Sequence, residues 1–502
     1  MATELVKKHK KQIIISFVLL ALFFLSRLIN LTIIPIFTDE AIYLRWAQIA
    51  QNDAAWRFIS LTDGKQPLFV WLTMGLMKVI KEPLMAGRLV SVGAGLTAAI
   101  GIWLLSFLLF KKQRLAFWAS FLYLLIPFYL LYDRMALMDS MVGAFSILAL
   151  FLGVLLAKTL RLDVALILGA VLGGGVLTKT SGFFNIYLLP LTLWLFDWRD
   201  KKRGFNLLKW TGLAFLAVII SQLFYSILRL SPLFHMIAQK NATFVYPIKE
   251  WFRHPFLFFR GNLRGEINWL VNYFSYPVVF LIIISLVLIR KNFREKAFLF
   301  LWFLAPFVAL ALFAKILYPR FILFMTLPLL ILAAWTLEEM MRRIKARWLF
   351  SVFCFLFSVF SLYTDFQLLF DPPKAPIPKQ DRAQYIDSWP AGYGIKEIVA
   401  FAKKEAQDKK IFIATEGTFG MFPASLELYL WDYPHIEIKG FWPVKEIPPE
   451  VLEKAEEVPT FFVFNETQKI PKQWPLKLVA QYSRPDPHYS MKLYRVLSSN
   501  RK

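Results

Sequence analysis

Charged residues stand where apolar runs end: Asp39-Glu40, Lys65, Arg88, Asp133-Arg134 with Asp139, Lys179, and Tyr318-Pro319-Arg320. Paired carboxylates suit proton transfer to or from a hydroxyl. Arginine and lysine gathered on one face suit an anion, arginine best because its planar fork can bind two phosphate oxygens at once. These residues come from distant parts of the chain, so they act together only if the segments between them return the chain to one face.

Those segments are membrane-like. Of 502 residues, 58% are hydrophobic, with a mean hydropathy of +0.52, too apolar for a soluble globular chain of this length. The net charge of +24 invites a nucleic-acid reading, but the basic residues fall in short clusters between apolar runs and not along one amphipathic face. No nucleic-acid partner is expected.

A span needs roughly 20 apolar residues, and the pattern predicts about eleven spans, consistent with that length. The first runs from Ile13 to about Asn30, a retained anchor by its length and its lack of a small-residue cleavage site, so Met1 is expected to remain attached. The others fall near Leu89–Phe110, Leu115–Leu131, Met141–Ala157, Val164–Leu177, Phe183–Leu195, Leu207–Leu228, Tyr276–Ile289, Ala297–Ala314, Phe321–Met340 and Trp348–Asp365. Alternate connections carry Lys7-Lys8, Lys111-Lys112, Lys158, Lys201-Lys202, Arg290-Lys291 and Arg342-Arg343, which by the positive-inside rule puts the N-terminus in the cytoplasm. The charged span ends named above then lie on the outer face of the plasma membrane, as does the C-terminal segment. Cys354, the only cysteine, falls in the last span and is read as packing.

The expected organisation is a membrane domain over 1–370 with structured outer loops at 31–88 and 229–275. A proline-rich linker follows at 371–380, then a soluble α/β domain outside the membrane at 381–502. In the first loop, Glu40–Ala50 and Leu68–Ile80 read as interfacial helices with Trp46, Trp56 and Trp71 at headgroup depth. In the soluble part Ile395–Lys404 predicts a helix, Ile411–Thr415 and Phe461–Phe464 buried strands, and Ser490–Val496 an edge or hairpin strand.

Phe37-Thr38-Asp39-Glu40-Ala41-Ile42-Tyr43 resembles the Asp-Glu-Ala-x-Tyr signature of the dolichyl-phosphate-mannose-protein mannosyltransferase superfamily, which includes the lipid A aminoarabinose transferases. The resemblance continues through Lys65-Gln66-Pro67-Leu68, Gly87-Arg88-Leu89-Val90-Ser91, Asp133-Arg134 to Asp139, and Leu177-Thr178-Lys179. It covers the first 200 residues well, the membrane region to Met340 loosely, and the C-terminal domain not at all. It implies a GT-C fold and transfer of a sugar from a polyprenyl-phosphate donor to an acceptor hydroxyl on protein, lipid or glycan.

On that resemblance Asp39 is the base, and Glu40 holds the acceptor or orients Asp39. The leaving lipid phosphate gains charge in the transition state, which preplaced cations stabilise. Lys65, Arg88, Arg134, Lys179 and Arg320 are the candidates, with Tyr43, Asp139 and Tyr318 in support. Each has a plainer reading. Asp39-Glu40 could be helix N-terminal charges with Thr38 as cap. Lys65, Arg134 and Arg320 could snorkel to ordinary lipid phosphates, and Asp133 and Asp139 could be ion-pair partners of Arg134.

In the aminoarabinose branch a metal is held by a carboxylate just before the Lys-Pro motif and by a loop histidine. His235 is such a loop histidine, but Gly64 occupies the carboxylate position, so no metal ligand is assigned. Two other classes compete with an enzyme. A lipid-linked sugar flippase or transporter would need a polar path through the spans, where charges are scarce. In a sensor or scaffold the outer domain would be the working part.

Overall fold

In hydrocarbon every backbone N–H and C=O must be paired within its own segment, so long apolar runs become helices. The computed structural model describes residues 2–287 and 290–498. Met1, the side chains of Lys7 and Lys8, and the Ile289 end of one expected span lie outside the described part. The helices of the apolar region are α1 (Ala2–Leu28), α2 (Thr38–Asn52), α3 (Leu68–Met77), α4 (Pro83–Phe110), α5 (Gln113–Leu125), α6 (Pro127–Asp133), α7 (Met138–Thr159) and α8 (Leu162–Thr178). They continue with α9 (Phe183–Leu188), α10 (Arg203–Ser226), α11 (Met236–Phe244), α12 (Ile248–Arg253), α13 (Phe259–Val287), α14 (Phe293–Phe313), α15 (Leu323–Arg343) and α16 (Arg347–Phe370).

Among the described residues, eight helices are long and apolar enough to cross a membrane, or nine if α5 and α6, bent by 65°, form one span. The chain is a multi-pass membrane protein with fewer full spans than the eleven expected. Two expected spans fall short. The 17 residues of α8 rise only about 26 Å against a hydrocarbon core of roughly 30 Å. The stretch expected at Phe183–Leu195 breaks into α9 and a 3-10 turn beginning at Leu189-Pro190, because proline removes a donor and fixes its own φ.

The described chain divides into two compact units. The first comprises Met1–Ile29, Phe58–Phe69 and Arg88–Leu369. Its central helix is α15, whose apolar window is 94% buried, whereas α1 is 11% buried and faces outward. Glycines close the α8 packing: a Cβ at Gly169 would lie 2.7 Å from Ile220 Cβ, and one at Gly173 2.7 Å from the Phe224 ring. Small residues let backbones approach where lipid offers no hydrophobic drive. Pro127 at the start of α6 makes the 65° bend that turns the chain toward Asp133-Arg134.

The second unit comprises Asn30–Arg57, Val70–Gly87 and Phe370–Lys502. Its later elements are α17 (Lys379–Arg382), α18 (Ile395–Glu405), β1 (Ile411–Glu416), α19 (Ala424–Leu430), β2 (Ile436–Phe441), α20 (Pro449–Glu457), β3 (Thr460–Phe464), β4 (Leu476–Ser483) and β5 (Ser490–Val496). The sheet order is β2-β1-β3-β5-β4, parallel across β2, β1 and β3 and antiparallel across β3, β5 and β4. Strands β1 and β3 are buried at every position, as parallel strands covered on both faces must be. The proline segment is packed: Arg382 donates to both Asp387 carboxylate oxygens at 2.8 Å and to the Pro373 carbonyl at 2.7 Å.

Helix α2 belongs to this unit, and its apolar residues are buried against protein. Trp46 is 5% exposed and packs on Phe419, ring centroids 6.3 Å apart. Most of the hydrophobic face of α2 is covered by protein.

Candidate active site

The candidate residues divide between the units: Asp39, Glu40 and Tyr43 in the second, Lys65, Arg88, Arg134, Asp139, Lys179, Tyr318 and Arg320 in the first. In the second unit the extended Ile36–Thr38 segment pairs antiparallel with Ala391 through the Phe37–Ala391 bridge. Thr38 N–H donates to the Pro390 carbonyl at 3.1 Å, and Gly392 N–H to Ile36 at 2.8 Å. Further along, Arg45 Nε bonds Glu427 at 3.0 Å and Gln48 Nε2 the Leu428 carbonyl at 3.1 Å. The C-terminal segment of this unit therefore sets where α2 begins and how it is rotated.

Thr38 does not cap α2. It opens the helix, and its hydroxyl donates to the Pro390 carbonyl at 3.1 Å. The capping carboxylate is Glu40, fully buried, which accepts from Phe37 N–H at 2.9 Å. Asp39, half-buried in the first turn, stands where the helix dipole favours negative charge. Tyr43 and Trp46 follow at i+4 and i+7, so the three share one helix face, and the two rings lie 5.8 Å apart.

This anchorage rests on Arg484, which donates to the Ala391 carbonyl at 3.1 Å and to Asn465 Oδ1 at 2.5 Å. Burial pulls its guanidinium down to about 10, still cationic near neutrality. Asn465 and Thr467, which match a glycosylation sequon, are engaged in this framework: Asn465 is 2% exposed, and Thr467 N–H donates to Glu416.

In the first unit, two groups form around the bend and the α7 and α8 ends. Lys179 Nζ pairs with Asp139 Oδ1 at 2.7 Å and lies 4.5 Å from the centre of the Phe321 ring. Next to Lys179, Thr180 accepts from Gln66 Nε2 at 2.8 Å, which joins the Lys65-Gln66-Pro67 motif to the end of α8. Arg320, 8% exposed, stacks over Tyr318 at 5.2 Å. Arg88 is fully buried near the start of α4.

The ion pairing around Arg134 differs from the sequence expectation. Asp133 pairs with Arg27, at 3.3 Å, and also accepts from Tyr123 at 3.0 Å and Ser140 at 2.9 Å. Asp139 pairs with Lys179. Arg134 Nη1 instead donates to the carbonyls of Ser26, Arg27 and Ile29 at 3.1, 3.0 and 2.7 Å, closing the C-terminal end of α1. Those carbonyls have no partner within the helix, and a cation there also meets the negative end of the dipole. Arg27, which sequence reasoning passed over, carried one signal: a charge inside an apolar run.

Residues 64–225 match a family model described as dolichyl-phosphate-mannose-protein mannosyltransferase. No curated protein matches the chain. Among solved structures, ArnT from Cupriavidus metallidurans in the apo state matches with a TM-score of 0.61 at 14% identity, over 98% of this chain and 99% of that one. The same protein bound to undecaprenyl phosphate matches with a TM-score of 0.61 at 15% identity over the same shares. This chain has a GT-C-like fold.

Within the GT-C fold the position before Lys65 tests the fit of a metal. Gly64 has φ +62, and a Cβ there would lie 2.7 Å from Lys240 Cβ, so the position admits no carboxylate side chain without strain. The carboxylate one residue earlier in the chain, Asp63, is taken by Lys240 at 2.6 Å and Lys65 at 3.3 Å. His235 Nδ1 bonds the Pro232 carbonyl at 3.0 Å, and no group of three or more His, Cys, Asp or Glu side chains occurs among the described residues. Two ammonium groups on the one carboxylate do not fit a divalent cation. Gly64→Glu is expected to lower the unfolding temperature, the left-handed backbone alone costing about 1–3 kcal/mol, with no recovery on adding Mg²⁺ or Zn²⁺. Thermal unfolding in detergent, with and without the metals, measures both.

Proposed function

We propose that this protein transfers a sugar from a polyprenyl-phosphate donor to an acceptor hydroxyl at the outer face of the plasma membrane. The observation that carries this reading is the likeness of nearly the whole chain to the ArnT fold, one structure of which holds undecaprenyl phosphate. Asp39 takes the acceptor proton as the hydroxyl attacks the anomeric carbon, with inversion. The bond to the lipid phosphate breaks, and the phosphate leaves as an anion stabilised by Arg88, Lys65, Lys179 and Arg320. Asp139 orients Lys179, and Tyr318 supports Arg320. Glu40 and Arg134 act one step back, Glu40 by capping the helix that carries Asp39 and Arg134 by holding the end of α1. The N-terminus is cytoplasmic and the C-terminal domain extracytoplasmic on this reading.

The test is transfer of labelled sugar from polyprenyl phosphate by purified protein in membranes. Mass spectrometry of outer-surface glycans, with and without the chain, identifies the product. Arg88→Ala is expected to reduce the rate by about 10²–10³-fold, the effect of removing one preplaced group that meets developing charge. An Arg88→Ala protein that is folded and transfers at the wild-type rate removes Arg88 from the clamp.

A further inference from the structure

The positive-inside rule accounts for basic connections at one end of the spans, but not for their meeting at a single atom. In the first unit, Lys112 Nζ and Arg342 Nη1 each lie 3.2 Å from Glu339 Oε1, and Lys291 Nζ lies 3.8 Å from the same oxygen. On the neighbouring residue, Arg114 pairs with the buried Glu338 at 3.6 Å. The segments that meet here, 111–114, 290–296 and 338–347, hold eleven lysines and arginines against three glutamates. Two of these cations serve the fold: Arg294 donates to the Trp194 and Phe196 carbonyls, and the buried Lys296 to the Ser285 carbonyl. Lys112 and Lys291 have no partner besides Glu339 among the described residues, and Lys291 and Arg342 are exposed. Three cations on one carboxylate oxygen leave an excess of two positive charges, gathered against their own repulsion. A further anion at this point relieves that repulsion.

The surroundings say which anion. Trp194, whose indole N–H donates to the Arg294 carbonyl at 3.1 Å, is 43% exposed, and Trp348 at the start of α16 is 67% exposed. Exposed tryptophans of a membrane protein collect at headgroup depth. Phe293 and Leu349, also exposed, continue this surface with apolar groups. We infer that Lys112, Lys291 and Arg342 bind the headgroup of an anionic phospholipid, whose acyl chains run over the exposed apolar residues. The excess of two charges matches a headgroup with two phosphodiesters, as in cardiolipin. Basic pockets between spans suit such headgroups, and an arginine fork takes two oxygens of one phosphate. A soluble phosphate meets the same cations but leaves the apolar flank unused. The site is separate from the candidate active site, since Arg320 precedes α15 and Arg342 lies in its last turn, and the 21 residues of that helix rise about 30 Å. The inference does not rest on the transferase reading; the orientation proposed above makes the leaflet the cytoplasmic one.

In the experiment the full chain in neutral detergent is titrated with cardiolipin, phosphatidylcholine or inorganic phosphate. Native mass spectrometry reads retained lipid, and thermal unfolding reads stability. Cardiolipin is expected to be retained and to raise the unfolding temperature, and phosphatidylcholine and phosphate to do neither. Lys291→Gln combined with Arg342→Gln is expected to weaken cardiolipin binding about 30-fold, the effect of two basic residues near an anionic headgroup. Lys291→Glu, at a side chain that makes no hydrogen bond, reverses one charge and is expected to give a similar loss in a chain that folds as wild type. Lys201→Gln combined with Lys202→Gln, at exposed cations of another basic connection, is expected to leave binding unchanged. Retention of phosphatidylcholine equal to that of cardiolipin overturns the assignment in favour of a general lipid effect, and an equal shift with inorganic phosphate in favour of a soluble anion. Equal losses in the two double variants overturn it in favour of diffuse charge. Wild-type binding by the Lys291 and Arg342 variants overturns it outright, and none of these outcomes touches the transferase reading.

Discussion

Asp39→Asn is expected to reduce sugar transfer by about 10²–10⁴-fold, the usual contribution of a positioned general base, while leaving the protein folded. Asparagine keeps the size and the hydrogen-bonding reach of aspartate but cannot take the acceptor proton. The fold should survive because α2 is held by other groups: Glu40 on Phe37 N–H, Thr38 on Pro390 and Arg45 on Glu427. Glu40→Gln provides the comparison. It weakens a cap worth about 1 kcal/mol and moves the helix start, so a smaller loss is expected, in rate and in unfolding temperature together. Rates from labelled donor, set beside thermal unfolding of each variant, separate the two carboxylates. Equal and large rate losses at unchanged stability would make Glu40 a second reacting group, and an active Asp39→Asn enzyme would end the base assignment.

The separate behaviour of these neighbours explains what the sequence could and could not tell. Element types were legible where burial imposes a pattern. The helix expected at Ile395–Lys404 is α18, and the strand expected at Ser490–Val496 is β5, because apolar runs and alternation survive in the sequence. Strands β2 and β4 were not read: β2 alternates only over Ile436-Glu437-Ile438-Lys439, and neither strand has a fully buried position. Partners were least legible. Asp133 takes Arg27 and not its neighbour Arg134, although both side chains meet the end of α1 beyond the bend at Pro127, and no local spacing encodes a contact 106 residues away. Likewise the anchoring of Ile36–Thr38 on Pro390–Gly392 joins segments some 350 residues apart, and the motif at Asp39-Glu40 gave no sign of it. Gly64, by contrast, could be questioned from sequence alone, and the structure supplies the steric reason it stands there.

The Asp133 centre carries the largest stability effect to be expected. Its carboxylate is 1% exposed, beside the fully buried Arg27, and it takes three further hydrogen bonds from Tyr123, to both oxygens, and Ser140. Room for it comes from Gly95, where a Cβ would lie 2.6 Å from Asp133 Oδ1. Asp133→Ala leaves a buried guanidinium facing a cavity and strands two hydroxyls, so a loss of about 3–5 kcal/mol is expected. Pairwise attraction alone would predict that Arg27→Met in the Asp133→Ala background changes little, because the bond is already gone. Burial predicts otherwise: removing the stranded charge should return part of the lost stability, since replacing both members of a buried pair by apolar groups is often neutral. Thermal unfolding of the two single variants and the double variant in one detergent gives the coupling directly. If the double variant is less stable than Asp133→Ala by the full cost of Arg27→Met alone, Arg27 is held by the Tyr123 and Leu124 carbonyls, to which it also donates at 3.3 and 3.1 Å, and not by Asp133.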